Sequence, residues 1–405
     1  MLVSKHIKVR LPVCLAVLAA CGSAGDDTVR VVVDTVGGIE RITTRGNGVW
    51  REGDAWRVDS PGVRIGSSGG AAGDVFGSVS GLAVAHDGRI YIADGQANEI
   101  RVFTSDGKPL TRFGRQGEGP GEFRAVDGVA IFPDGRIAVR DPRIFRLSIF
   151  HADGRFISSF RLMRPFMQVT RGEGLWVTRD ARVVDRVTVT ATLEVSKPST
   201  VSVMIYSADG LVQDTLGLVE VPPGGGIPIT RNGMLAASMS IPFAPAPIVA
   251  VDPDQNVAYS DGVQYEIAVI RAGQSTVRRF ARERALDVVT GDERDAARAQ
   301  LDERVRQLVG EGRLGAFEFP ANKPAYTHLV ADATGHWWAG HRSGSDFWEQ
   351  PTSYDLYDPD GRFLGAVSVP PIRILQIGDD FIAGVVRDDF DVETVVVLRL
   401  IKPKR

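Results

Sequence analysis

Two short patterns recur along this chain, and together they leave few folds open to it. The first is a turn followed by a strand that ends on a charged residue. It reads D-G-R-I-Y-I-A-D at 87–94 and D-G-R-I-A-V-R-D at 134–141, with weaker copies at 173–180, 254–261 and 334–341; the copy at 379–386 lacks the final charge. The second is an alternating strand followed by a turn: F-T-S-D-G at 103–107, F-H-A-D-G at 150–154, Y-S-A-D-G at 206–210 and Y-D-P-D-G at 357–361, with a worn copy at 270–273. Alternation at period two marks strands with a buried face. Each Asp-Gly pair supplies the positive φ that a tight turn between antiparallel strands requires.

Apolar runs precede the first pattern (Gly81–Ala85, Gly128–Phe132, Ile248–Val251, His328–Ala331) and follow the second (Pro109–Phe113, Phe156–Phe160, Phe363–Val367). Each unit therefore holds four strands, A to D, and six units follow one another. Radial repetition of four-stranded antiparallel sheets is a β-propeller. The expected fold class is all-β, a six-bladed propeller with one helical insertion. The last unit ends after three strands, at about Val395–Leu400. A ring left open exposes bare strand edges, so an N-terminal strand within Val29–Val36 or Ile39–Thr44 is expected to close it.

The composition agrees. The 45 glycines suit a chain of many turns, and 43% hydrophobic residues suffice for a large core. A net charge of −3 argues against nucleic acid as a partner. Two cysteines exclude a disulfide-rich scaffold and a four-cysteine zinc site.

The first 20 residues read as an address. Lys5, Lys8 and Arg10 precede an apolar run from Leu11 to Ala20 that is about half the ~20 residues a membrane span needs. The run ends in Leu18-Ala19-Ala20-Cys21, which resembles the lipobox of bacterial lipoproteins. That resemblance implies that 1–20 is a signal peptide, that Cys21 carries the lipid, and that membrane attachment is through acyl chains. It also implies a cell-envelope location, with Gly22 in place of the Asp that resembles an inner-membrane retention signal, hence the outer membrane. Residues 21–28 read as a tether and 29–405 as the propeller.

The stretch Phe113-Gly114-Arg115-Gln116-Gly117-Glu118-Gly119-Pro120-Gly121-Glu122-Phe123, with I-Y-I-A-D and E-I-R-V-F, resembles NHL-type repeats of six-bladed propeller lipoproteins from bacterial envelopes. The resemblance implies a fold and little about activity.

In an up-and-down sheet, A–B and C–D turns share one face of the ring, and B–C and D–A connections share the other. Spacing from the end of the first pattern to the start of the second is 9 residues in blades 1, 2 and 4, but 26 from Asp180 to Tyr206 and 16 from His341 to Tyr357. Long B–C loops are thus expected in blades 3 and 5. The largest insert, about 283–312, lies between blades 4 and 5. Ala297, Leu301, Val305 and Leu308 give it a helical apolar stripe, with Thr290 or Asp292 as cap and Gly310 and Gly312 as stops. Variation on one face of a rigid scaffold points to the B–C/D–A face as the binding face.

Candidate residues follow from these placements. Asp94, Asp141, Asp180, Asp261 and His341 end the first pattern; they form either a ring of ligands for a divalent cation or a set of carboxylates that each cap a loop. His341 departs from the pattern and is followed by Arg342. Trp348 could offer a ligand platform, and Arg140 and Arg179 could attract an anion. The Gly-rich 114–121 lacks the G-K-[ST] ending of a phosphate loop, and no G-x-S-x-G motif occurs. The expected function is a lipid-anchored binding or scaffold module taking a protein or small ligand, with no cofactor. The alternative is a metal-dependent hydrolase or lyase of the lactonase-like propeller type.

Overall fold

The computed structural model describes residues 29–66, 75–163, 167–168, 174–190, 199–221, 226–274, 277–342, 350–388 and 390–403. The signal and tether, with Cys21, and also Trp348 lie outside the described residues.

Six sheets surround a central channel. Strands A to D are Val79–Val84, Ile90–Asp94, Glu99–Phe103 and Pro109–Phe113 in blade 1, and Val129–Ile131, Ile137–Asp141, Arg146–Phe150 and Phe156–Arg161 in blade 2. Blade 3 has Leu175–Val177, Val183–Thr190, Ser199–Tyr206 and Val212–Val221; blade 4 has Ile248–Val251, Val257–Ser260, Glu266–Ile270 and Val277–Arg282. Blade 5 has His328–Ala331, Trp337–His341, Ser353–Tyr357 and Phe363–Ser368, and blade 6 has Arg373–Ile377, Phe381–Arg387 and Glu393–Ile401.

The core lies between blades. Tyr91 and Ala93 of blade 1 pack with Val139 and Phe150 of blade 2, while Ile90 and Ile92 on the opposite face pack with Ala383 and Val385 of blade 6. Inner strands are thus covered on both faces, which is why I-Y-I-A-D is buried at every position. The C–D turn glycine does double duty. Gly154 and Gly361 sit at φ +89° and +93°, and a Cβ there would lie 2.6 Å from Phe113 and 2.3 Å from Phe280, each on the outer strand of the preceding blade. The tight turn and the close approach between blades require the same glycine.

The ring closes with a different strand from the one expected. Arg57–Ile65 is the outer strand of blade 6, antiparallel to Glu393–Ile401. Pro61-Gly62 interrupts its alternation, and the register shifts between Asp59 and Val63, so the strand does not read as one in the sequence. The segments expected to close the ring, Arg30–Val36 and Ile39–Arg45, instead form a hairpin on blade 4, where the second strand runs parallel to Val277–Arg282. Ile42 is buried there beside Phe280.

Blade 3 departs too. Leu175–Val177, within the third copy of the first pattern, is strand A rather than strand B. The spacing of 26 residues reflects eight-residue strands B and C; the connection at 191–198 lies outside the described residues.

Candidate functional site

The B–C/D–A face carries a small body with its own core. The connection from blade 3 to blade 4 contains a hairpin, Gly226–Arg231 and Met234–Ser240. The connection from blade 4 to blade 5 contains helix α1, Gly291–Val309, and the short strand Arg313–Leu314, which pairs with Ile229 and Thr230 of the hairpin. Thr290 caps α1 in a capping box with Glu293, and Gly310 ends it. Ala297 and Leu301 turn inward onto Ile227 and Phe243, and Val305 is buried one turn further along the helix. Leu308, expected in that stripe, is 59% exposed. The hairpin escaped the sequence reading, since neither repeated pattern covers it; Asn232-Gly233 between apolar runs was its signal.

At the strand-A starts, the channel holds a cavity of about 130 Å³ lined by Gly81, Gly128, Gly174, Arg140, Arg186 and His328 among others. Arg140 is fully buried. Its guanidinium donates to Asp127 at 2.7 Å and Asp185 at 2.6 Å, and Nε donates to the Asp127 carbonyl at 3.0 Å. Burial opposes the charge on Arg140, but the Asp185 and Asp127 carboxylates outweigh it and raise its pKa further. Burial also lifts the Asp185 carboxyl above the usual range against the pull of Arg140. Arg140 thus joins blades 2 and 3.

Arg179 does not accompany it. It lies in the A–B turn of blade 3, at the opposite channel mouth, and donates to Asp254 and, at 2.7 Å, to the Ala333 carbonyl. It thereby ties together the turns of blades 3, 4 and 5. The cavity at that end is about 530 Å³ and is lined mainly by apolar strand-A residues such as Val84, Ile131 and Val177.

The aspartates at strand-B ends face their own loops. Asp94 accepts from the backbone N–H groups of Gln96 and Ala97 and pairs with Arg101 at 2.9 Å. Asp141 accepts from Arg143, Ile144 and Arg124 N–H groups, and Asp261 from that of Val263. Asp180 is not a member of this set, because the shift in blade 3 puts it in the A–B turn, where it pairs with Arg182. Among the described residues, no three His, Cys, Asp or Glu side chains are grouped to hold a metal ion.

His341 stands at the equivalent position of blade 5 and is 8% exposed. Its Nε2 lies 3.8 Å from Asp355, and its Nδ1 is buried with no hydrogen-bond partner. Asp355 accepts from Arg282 at 2.6 Å and from the Tyr326 hydroxyl at 3.0 Å; that hydroxyl lies 2.7 Å from the Tyr357 hydroxyl. Burial pushes the His341 pKa down, against the Asp355 carboxylate, so the imidazole is neutral near pH 7. Burial likewise holds Tyr326 well above the ordinary tyrosine range. Arg342 is half-buried beside this cluster. Trp176 is half-buried in the channel wall, and Trp337 and Trp338 are core residues of blade 5.

The model of the family described as DUF5128, a 6-bladed beta-propeller, matches residues 75–181, which span blades 1 and 2 and the start of blade 3. No curated protein matches the chain in sequence. A Bacteroides fragilis protein described as exported is 12% identical with a TM-score of 0.49, over 90% of this chain and 100% of that one. A member of the DUF4221 family from Bacteroides vulgatus is 12% identical with a TM-score of 0.50, over 86% and 99%. A streptogramin B lyase is 10% identical with a TM-score of 0.41, over 86% and 98%. The matched family model and the ring of four-stranded antiparallel sheets agree on the fold, which is a six-bladed β-propeller.

Proposed function

We infer that this protein is an extracytoplasmic, lipid-anchored binding module whose working face is the capped B–C/D–A side of the ring. One observation carries the reading. Two segments far apart in sequence, 226–247 and 283–327, are joined by strand pairing and a common core into one body on one face. Elaboration confined to one face of a rigid ring is the usual placement of recognition surfaces.

The charged run, apolar stretch and Leu18-Ala19-Ala20-Cys21 support export and acylation at Cys21. No described helix is long and apolar enough to cross a membrane. A binding role is favoured over metal-dependent hydrolysis because Asp94, Asp141 and Asp261 spend carboxylate oxygens on their own loops. Affinity capture from envelope extracts tests the reading, with a chain lacking residues 290–312 as the control. Partners retained by the intact chain and lost with the deletion support it. Equal retention by both places binding elsewhere on the ring. A metal measurement on purified protein that finds a stoichiometric divalent ion, lost on Asp94→Ala, would favour the hydrolytic reading.

A further inference from the structure

We propose that the free end of the cap rests in the surface of a lipid bilayer; the proposal deepens the lipid-anchored reading above and rests on it. The hairpin turns at Asn232 and Gly233, both at positive φ (53° and 76°), as a two-residue hairpin turn requires. Immediately beyond, Met234 and Leu235 are 71% and 70% exposed. Helix α1 ends nearby, since the strand that follows it pairs with Ile229 and Thr230 next to the turn, and Leu308 in its last turn is 59% exposed. Three apolar side chains are thus exposed at one end of the cap. Arg231 and Arg313, also exposed, sit on adjacent strands at that end.

This end is remote along the chain from the points of attachment. The hairpin is entered from the outer strand of blade 3 and left toward the inner strand of blade 4, so its turn is the part farthest along the chain from both. Ile227 and Ile229 supply the inward face of the hairpin, so folding does not need Met234 or Leu235 buried. Exposed apolar residues flanked by arginines suit the boundary between acyl chains and anionic headgroups.

The exit of the chain supplies the occupant. Arg30 pairs with Arg45, and Arg45 forms an ion pair at 2.7 Å with Glu283, the first residue beyond the outer strand of blade 4. The N-terminal segment therefore leaves the ring at the root of the insert that carries α1. Seven residues, 22–28, reach at most about 25 Å, and the 19 residues of α1 span about 28 Å. The tether's reach and the length of α1 are similar, which is compatible with a bilayer holding Cys21 meeting the cap's end. Tethering at Cys21 adds to the tip's own affinity by raising its local concentration at the bilayer to the millimolar range. The cap then faces the membrane, and the channel mouth at Arg179 faces away from it.

The test uses the chain from residue 22 onward, which contains no cysteine. Leu235→Cys provides a single site for an environment-sensitive fluorophore. With vesicles containing phosphatidylglycerol, the label is expected to shift to the blue and the unlabelled chain to co-sediment. The double substitution Met234→Ser/Leu235→Ser is expected to weaken co-sedimentation at least tenfold while leaving the melting temperature within a few degrees. An unshifted label, equal sedimentation of parent and variant, or concentration-dependent self-association through the tip without vesicle binding would overturn the proposal. Lipid labelling of the full chain, abolished by Cys21→Ala, tests the anchor separately. Acylation without vesicle binding sinks the cap's role alone, and vesicle binding without acylation sinks the anchor alone.

Discussion

The side-chain amide of Gln376 pairs with both backbone groups of Val84, accepting from its N–H at 2.7 Å and donating to its carbonyl at 3.2 Å. Gln376 lies on the inner strand of blade 6 and Val84 on that of blade 1, 292 residues earlier. One side chain so continues hydrogen bonding across the seam where the ring closes. Glu393 reinforces the seam, accepting from the Val79 N–H at 2.5 Å.

Gln376→Leu keeps the bulk of the side chain and strips Val84 of both partners. Leaving part-buried backbone groups unsatisfied costs about 1–3 kcal/mol. Urea denaturation should show that loss with an unchanged m-value, since the surface exposed on unfolding is the same. No change in midpoint would mean that water replaces the amide.

Arg140→Met leaves Asp127 and Asp185 buried without their cation, and removing one side of a buried ion pair costs about 3–5 kcal/mol. Adding Asp127→Asn and Asp185→Asn should recover much of that loss, because the uncompensated charges go with them. Denaturation of the single and triple variants checks this. A triple variant no more stable than the single one would show that Arg140 acts through packing.

Two glycines separate turn strain from contact between blades. Gly135 has φ +84° with nothing within 4 Å of a Cβ, whereas Gly361 has φ +93° with Phe280 at 2.3 Å. Alanine brings similar backbone strain to both, about 1–2 kcal/mol. Gly361→Ala should cost a further ~1–3 kcal/mol, as overpacking does, read as the difference between the two melting curves.

His341 titrates below its ordinary value, chiefly through burial. The unfolded chain then binds the proton more tightly, so this group destabilises the fold as pH falls from about 6.5 through the lower native midpoint. Above about 6.5 its contribution is complete. His341→Gln should flatten stability below about pH 6.5, and an NMR titration should place the His341 midpoint below the ordinary imidazole value of about 6.5.

A chain beginning at residue 52 loses the hairpin on blade 4 but keeps Arg57–Ile65, so it should remain a monomer with one cooperative transition at lower temperature. A chain beginning at residue 67 also loses the closing strand and bares the edge of Glu393–Ile401, which should cause association. Size-exclusion chromatography and thermal melts distinguish the two.

Much of the ring was legible because its determinants are local. Alternation and Asp-Gly turns placed Ile90–Asp94, Ile137–Asp141 and Ser353–Tyr357, and the stripe of Ala297, Leu301 and Val305 marked α1. The candidate site was less legible. Asp180 and Asp94 end similar strings, yet one is in an A–B turn and the other at a strand-B end, because strand identity depends on which neighbours pair.

The local pattern, then, determined strand period, turn chemistry and the number of sheets, since each depends on residues a few positions apart. Only the tertiary structure decided that Arg57–Ile65 seals the ring, that Arg140 meets Asp185, and that Gly226–Arg231 joins Arg313–Leu314. Those pairings join segments tens to hundreds of residues apart. Their partners are selected by the geometry of the closed ring, which no short stretch of the chain encodes.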